Sequence, residues 1–590
     1  MSQIKLNEAQ QAMLNGQQGT ARQMGMRLLL DLAATAGATE LVPIRSAHLS
    51  GVSPLTGGLG LRQFLARLAE DPQAKVAVPT TLNAAGCDEA QFEAMRIVAP
   101  NFKEHNSEIV ARYAQLGVRP TQSCIPYEWE GVVTTGEAAW AESNAICFGN
   151  SYTGLVTNRE SGLSALAAAL TGYTPKYGLM LAENRRPNLE VLVSTLLADP
   201  TDFSVLGDWI GKQRRPSWQI PYGPIPLIKG LPTELTHEQK KALTAAAANY
   251  GCPLLYLDGH GEIPPENFQA KLAFGEAELQ KRYEELAPET AVSLITIGCP
   301  QASLGELRAT AELLQGKQLH PDAPPLWVFT SAANKDIAQK TGLAEIITHS
   351  GALLLENTCP EVVPYDQSWV HQVLTNSLKA EHYIKSGLNG IPTAVMRLAD
   401  CVALATGELE IGDWRLETEV RKTETISKKQ TVTPSTSDAR IAHPVTETFT
   451  ATGHGLPSQS DFSVTAVAFV TDTPITLLGF VNRESGVIEE PGHPADGQSM
   501  AGRIAIFPKG SGSTVAPYVL LELFYRGNAP VAVVNTEIDQ QSAPACSLEN
   551  IPYAYQFDAN IIAGIQNGDT VQLKREGERV TIDVTKRLAV

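Results

Sequence analysis

The side chains best suited to chemistry in this sequence are three cysteines within two residues of a proline: Cys124 in SCIPYEW, Cys299 in TIGCPQAS and Cys359 in ENTCPEV. Cys299 and Cys359 directly follow stretches that read as β-strands, and ligands at strand ends are held rigidly, as a metal cluster requires. The same thiols would serve equally well as half-buried packing groups. No Cys-x-x-Cys pair and no His-x-x-x-His run accompanies them, which removes zinc ribbons and fingers. Cys87, Cys147, Cys252, Cys401 and Cys546 read as core residues.

A second group of polar residues lies in NAICFGNSYTGLVTNRE (144–160), where Asn150, Ser151 and Arg159 share a Gly-broken loop. Arginine offers a planar fork for a carboxylate, and Asn and Ser supply shorter donors; an ordinary capped turn is the alternative. Lys379 and His382 in NSLKAEHY are three residues apart, on one face if helical, and both can donate to an anion. A solvated helix face would carry the same pattern. His48 in SAHLSG and the segment PTTLN (79–83) place more small polar groups at strand ends, where open α/β sheets bind ligands. The turn Gly510-Ser-Gly-Ser513-Thr514 stands between a strand and a helix, and its backbone N–H groups could stabilise an alkoxide, which makes Ser513 a candidate base. Simple helix capping is the competing explanation. Two motifs fail on residue count: Gly149-Asn-Ser151-Tyr-Thr-Gly154 is one residue too long for a hydrolase elbow, and Gly207-Asp-Trp-Ile-Gly211-Lys212 is too short for a phosphate loop.

The elements that must hold these residues read as α/β. Two helices are expected between Asn7 and Ala36, with Met24, Leu28, Leu29, Leu32 and Ala33 on one face. From Glu40 to about 410, short apolar runs (Glu40 to Arg45, Lys75 to Val78, Leu254 to Leu257, Ser293 to Ile297, Leu326 to Thr330, Ala352 to Leu355) alternate with helical patterns such as Gly305 to Leu314. This alternation predicts parallel sheets with crossover helices. A Thr-, Ser- and Lys-rich stretch (RKTETISKKQTVTPSTSDAR) marks a linker at 417–444, dividing a large part (1–416) from a small β/α unit (445–590). In that unit strands are expected at Phe462 to Thr471, Ile504 to Phe507 and Val531 to Val534, a helix at Pro517 to Tyr525, and two last strands after Gly568-Asp569.

The chain has 590 residues, enough for about four domains, and 46 basic against 63 acidic residues give a net charge of −17. That balance repels polyphosphate and argues against nucleic acid as a partner. The polar N-terminus and the lack of an 18-residue apolar run predict a cytoplasmic protein without a membrane anchor. Eight cysteines are too sparse for a disulfide framework.

Taken in order, SAHLSG (46–51), PTTLN (79–83), SCIPY (123–127), WAESNAICFGNSYTGLVTNRE (140–160), VLGDWIGK (205–212), IGCPQASLGEL (297–307), NTCP (357–360), NSLKAEHY (376–383), GSGSTVAPYVLLEL (510–523) and GNAPVAVV (527–534) resemble the aconitase X family. In that branch of the aconitase superfamily a large catalytic part and a small swivelling part are separate or fused; here both stand in one chain. The resemblance implies a multi-lobed α/β catalytic part with parallel sheets, followed by a swivelling domain. It also implies a hydro-lyase that uses an iron–sulfur cluster as Lewis acid, with Cys124, Cys299 and Cys359 as cluster ligands and Ser513 as base. The substrate would be a small hydroxy acid held by His48, Asn150, Ser151, Arg159, Lys379 and His382. For the fused type this is cis-3-hydroxy-L-proline, dehydrated to Δ1-pyrroline-2-carboxylate; the alternatives are mevalonate 5-phosphate or a non-catalytic binding role. A monomer is compatible with this build. Ser511, Pro517, Gln301 and Asn357 depart from the family pattern, and Ser511 in place of an Arg removes one anion contact.

Overall fold

The computed structural model describes residues 4–410 and 449–586 apart from 214, 216, 217, 219, 387 and 538; the linker expected at 417–444 lies outside them. Three parallel sheets build the large part. The first runs in the order Thr80–Leu82, Ser46–Leu49, Gly136–Trp140, Leu155–Val156. The second runs Ala270–Phe274, Leu189–Val193, Pro226–Lys229, Tyr256–Leu257. The third runs Leu353–Glu356, Leu326–Thr330, Leu294–Ala302, Val373–Thr375, Thr393–Val395. Strands such as Ser46–Leu49 and Leu294–Ala302 are buried at every position, as expected when helices cover both faces of a parallel sheet.

The helices start where the sequence supplies caps. Ser303 closes a capping box with Glu306 at the start of Leu304–Leu314, and Asp199 does so with Asp202 before Pro200–Lys212. The N-terminal segment forms Glu8–Leu14 and Thr20–Ala36. One expected strand is absent. At Lys75 to Val78 the backbone bonds to the ends of two helices instead, Val76 N–H to Leu116 O at 2.9 Å and Ala77 N–H to Ala169 O at 2.7 Å. The strand begins only after Pro79.

The small unit is a closed seven-stranded barrel in the order Thr450–Gly455, Tyr553–Tyr555, Ala532–Asn535, Ile504–Phe507, Phe462–Val470, Thr570–Glu576, Arg579–Lys586. Its central strands are parallel and its first and last strands antiparallel. Helix Pro517–Tyr525 leaves the barrel and packs on helix Pro54–Ala69 of the large part. Glycine makes this approach possible: a Cβ at Gly60 would lie 2.5 Å from Tyr518 O, and one at Gly51 or Gly162 would lie 2.5 Å from the Tyr518 side chain. The Tyr518 ring is fully buried among them, a contact of about 1.5–3 kcal/mol. The ion pairs Arg483–Glu522 (3.1 Å) and Arg67–Glu549 (2.9 Å) flank it.

Candidate active site

A cavity lies where the large part meets the barrel, lined by Cys124 and Cys359, by Glu142, Glu361 and Lys379, and on the barrel side by Ser513. The strands bring these groups together. Ser50 follows Ser46–Leu49, Asn83 follows Thr80–Leu82, Glu142 follows Gly136–Trp140, and Cys359 and Glu361 follow Leu353–Glu356. All therefore stand at carboxyl ends of parallel strands, where such sheets bind ligands.

Cys124, Cys299 and Cys359 are free and buried. Cys299 lies inside Leu294–Ala302, at the irregularity between Ile297 and Ala302, and its Sγ donates to Glu361 Oε1 at 2.8 Å. Cys124 Sγ accepts from the Gln301 backbone N–H at 3.3 Å. Burial pushes the Cys124 thiol up to about 12 and the other two well above the ordinary thiol range. Each thiol feels another, Cys299 with Cys359 and Cys359 with Cys124. Among the described residues no trio of His, Cys, Asp or Glu side chains is drawn tightly enough to hold one ion. Three buried thiols are the donor type that iron–sulfur centres take.

Lys379, at the start of helix Leu378–Lys385, is 1% exposed. Its Nζ donates to Glu142 Oε1 at 2.8 Å and to Asn144 Oδ1 at 2.7 Å, and pairs with Glu361 Oε1 at 3.0 Å. Burial alone would lower its pKa, but Glu142 and Glu361 outweigh it and hold the ammonium charged, well above the ordinary lysine range. An ammonium has three protons, and all three are spent inside the wall. Asn144 Nδ2 in turn donates to Cys124 O at 2.8 Å, and Asn83 Nδ2 to Glu142 Oε2 at 2.6 Å.

The glycine turn meets this wall from the barrel. Thr514 Oγ1 donates to Ala141 O at 2.6 Å, and Gly162 N–H donates to Thr514 O at 3.0 Å. Those bonds clamp Ser513 at the cavity, next to the N-terminus of helix Pro517–Tyr525, whose dipole favours a negative oxygen.

Family models for the aconitase X first domain, third domain and swivel domain match residues 3–183, 292–407 and 458–582. A phosphomevalonate dehydratase large subunit from Methanosarcina mazei is 36% identical over 69% of this chain and 99% of its own length. The chain belongs to the aconitase X family. A cis-3-hydroxy-L-proline dehydratase from Pseudomonas aeruginosa is 31% identical over 68% of this chain and 70% of its own. The crystal structure of Thermococcus kodakaraensis aconitase X in its holo-form superposes with a TM-score of 0.61 at 32% identity, covering 68% of this chain and all of that one. Like these aconitase X relatives the chain is a dehydratase, and here catalytic and swivel domains are joined in one polypeptide. No helix among the described residues is long and apolar enough to cross a membrane.

Within this aconitase X framework the residues expected from sequence fall into two groups. Cys124, Cys359, Lys379 and Ser513 line the cavity, and Cys299 is joined to it through Glu361, to which its Sγ donates. Arg159 is outside the lining, and its Nε and Nη2 are buried without partners. His48 is fully buried behind Asn83, outside the lining. Asn150 and Ser151 are spent on local structure. Asn150 Nδ2 donates to Thr157 O and Pro253 O, while Ser151 Oγ donates to Cys147 O at 2.6 Å and accepts from Leu255 N–H. His382 turns away from Lys379 against Tyr250, with ring centroids 5.0 Å apart, and burial lowers its pKa to about 4. Sequence reasoning had Asn83 in the polar PTTLN segment and Asn144 at the head of 144–160, but passed over Glu142 and Glu361. Their signal was proximity: Glu361 is two residues from Cys359, and Glu142 stands two residues before the polar 144–160 segment.

Proposed function

We propose that this aconitase X chain dehydrates cis-3-hydroxy-L-proline, with Cys124, Cys299 and Cys359 holding an iron–sulfur cluster and Ser513 acting as base. The observation that carries the substrate class is the charge of the wall. Its one lining lysine is fully engaged by Glu142, Glu361 and Asn144, so a phosphate dianion would meet two carboxylates and no free ammonium. A small zwitterionic amino acid suits this lining, and the fusion to a swivel domain accords with that choice. When bound, such a cluster supplies Lewis acidity toward the departing hydroxyl.

The remaining work falls to the protein. Ser513 Oγ takes the proton α to the carboxylate, its alkoxide form favoured by the N-terminus of helix Pro517–Tyr525. Negative charge then grows on the substrate carboxylate, where the two unpartnered N–H groups of Arg159 hold it. The docked barrel excludes water and strengthens these interactions. The enamine product tautomerises to Δ1-pyrroline-2-carboxylate.

Anaerobically purified protein tested against cis-3-hydroxy-L-proline and mevalonate 5-phosphate decides the substrate, and turnover of the phosphate alone would overturn the reading. Ser513→Ala should keep iron and sulfide while losing about 100-fold or more in kcat; retained turnover places the base elsewhere.

A further inference from the structure

We propose that Gln301 is a positioning residue for the three cysteines, its side-chain amide tying the segments that carry Cys124 and Cys359 to the strand that carries Cys299. What this does for a cluster rests on the ligand assignment proposed above; the tie itself does not.

The need for such a tie begins in the strand Leu294–Ala302. Its ladder with Leu326–Thr330 pairs Ile297 with Val328 and Ala302 with Thr330, so residues 298–301 stand opposite Phe329 alone. Buried backbone groups that leave a ladder must find partners elsewhere. The Gln301 N–H donates to Cys124 Sγ at 3.3 Å. The carbonyl oxygens of Gln301 and Pro300 accept from Lys241 Nζ at 2.7 and 3.2 Å. Lys241 is 1% exposed, and the third proton of its ammonium goes to Glu306. The peptide groups on both sides of Gln301 are thereby fixed, which gives its side chain a rigid origin.

From there the fully buried side chain reaches the two other segments. Nε2 donates to Thr358 O at 2.9 Å and to Gln122 O at 3.2 Å. Thr358 directly precedes Cys359, and Gln122 stands two residues before Cys124. Both partners are carbonyls, which only accept, so the nitrogen must face them; Oε1 has no partner that would favour the reverse. The gripped segments are ones that need holding. Gln122 (φ 44°) and Asn357 (φ 66°), the residue before Thr358, are left-handed without being glycine, and such backbone persists only where its surroundings over-determine it. Gln301 lies outside the cavity lining. It acts by setting where the thiols of three distant segments stand.

Methionine matches glutamine in length and lacks the donor. In iron-free full-length protein, iodoacetamide labelling resolved by peptide mass spectrometry should show Gln301→Met raising the rates at Cys124 and Cys359 about 10-fold or more, as expected when two bonds that close those segments are lost. Cys401 and Cys546, as deeply buried but in other segments, should keep their wild-type rates. Gln301→His keeps one N–H for the two carbonyls and should give a smaller rise at the same pair; it decides the question if the Met variant does not fold. Unchanged rates at Cys124 and Cys359, or an equal rise at all four thiols, overturn the proposal. Reconstituted without oxygen, the wild type should retain iron and acid-labile sulfide against EDTA about 10-fold longer than Gln301→Met; equal half-times overturn the cluster role. A wild-type chain that takes up no iron, with the selective labelling rise still present, refutes the ligand assignment and supports the tie.

Discussion

Asp31 lets the docking of the barrel be measured by pH alone. It lies on helix Thr20–Ala36 of the large part, 1% exposed, and its side-chain bonds run to Ser458 and Ser547 of the barrel unit. Oδ1 accepts from Ser458 N–H at 2.8 Å, and Oδ2 accepts from the hydroxyls of Ser458 and Ser547. Burial raises its pKa from 3.8 to about 6, although the serines and the Arg575 charge pull the other way. The folded chain therefore keeps a proton between those values that the unfolded chain has released. The stability it contributes is complete below about pH 4 and is lost as pH rises through 6, a difference of about 3 kcal/mol. Asp31→Asn removes the charge and keeps the geometry, since its amide can donate to both serine hydroxyls while its carbonyl accepts from Ser458 N–H. The variant should match wild type near pH 4 and exceed it by about 3 kcal/mol at pH 8, or roughly 6–12 °C in melting temperature for a cooperative unit of 150–250 residues. Thermal melts of both proteins across this range test the point. An offset that is the same at pH 4 and pH 8, or a variant less stable at pH 8, refutes the reasoning.

Three further outcomes follow from the same packing. Lys379→Met leaves Glu142 and Glu361 buried without their cation and should cost about 3–5 kcal/mol in denaturant unfolding; an unmoved midpoint would show that the pair is not buried in solution. Cys359→Ala, purified without oxygen, should lack iron, acid-labile sulfide and visible absorbance, whereas wild-type iron and sulfide content would remove Cys359 from the ligand set. Gly60→Ala would set a Cβ 2.5 Å from Tyr518 O and 2.9 Å from Glu522 N, both backbone atoms. It should destabilise the docked form by about 1–3 kcal/mol in thermal melts, despite alanine's better helix propensity.

What the sequence made legible was local. Leu326 to Thr330 and Pro517 to Tyr525 sit where their apolar patterns place them, because a buried strand and a buried helix both carry their signal in a short run of apolar residues. Lys75 to Val78 has the composition of a strand but finds its hydrogen-bond partners at Leu116 and Ala169, a choice made by residues distant in sequence. The site shows the same division. The three cysteines were visible through their proline neighbours and the family likeness, and Ser513 through its glycines. The wall they face was not, since the acceptors around Lys379 come from positions 142, 144 and 361. Asn150 and Ser151 misled for the complementary reason: a cluster of small polar residues looks the same whether it serves a ligand or the surrounding backbone.

The distribution of glycines explains how the proposed base, Ser513, can be carried on a separate unit. Gly51 lines the cavity and also makes room for the Tyr518 ring, and Val515, two residues from Ser513, presses on the same glycine, its Cγ1 2.8 Å from where a Cβ would stand. Gly162 both accommodates the Tyr518 hydroxyl and donates its N–H to Thr514 O. The contacts that dock the barrel are thus the contacts that aim Ser513, within a turn of chain and without an intervening loop. Any change that shifts the seat of Tyr518 must move Ser513 with it, because Gly51 and Gly162 have no side chain with which to adjust.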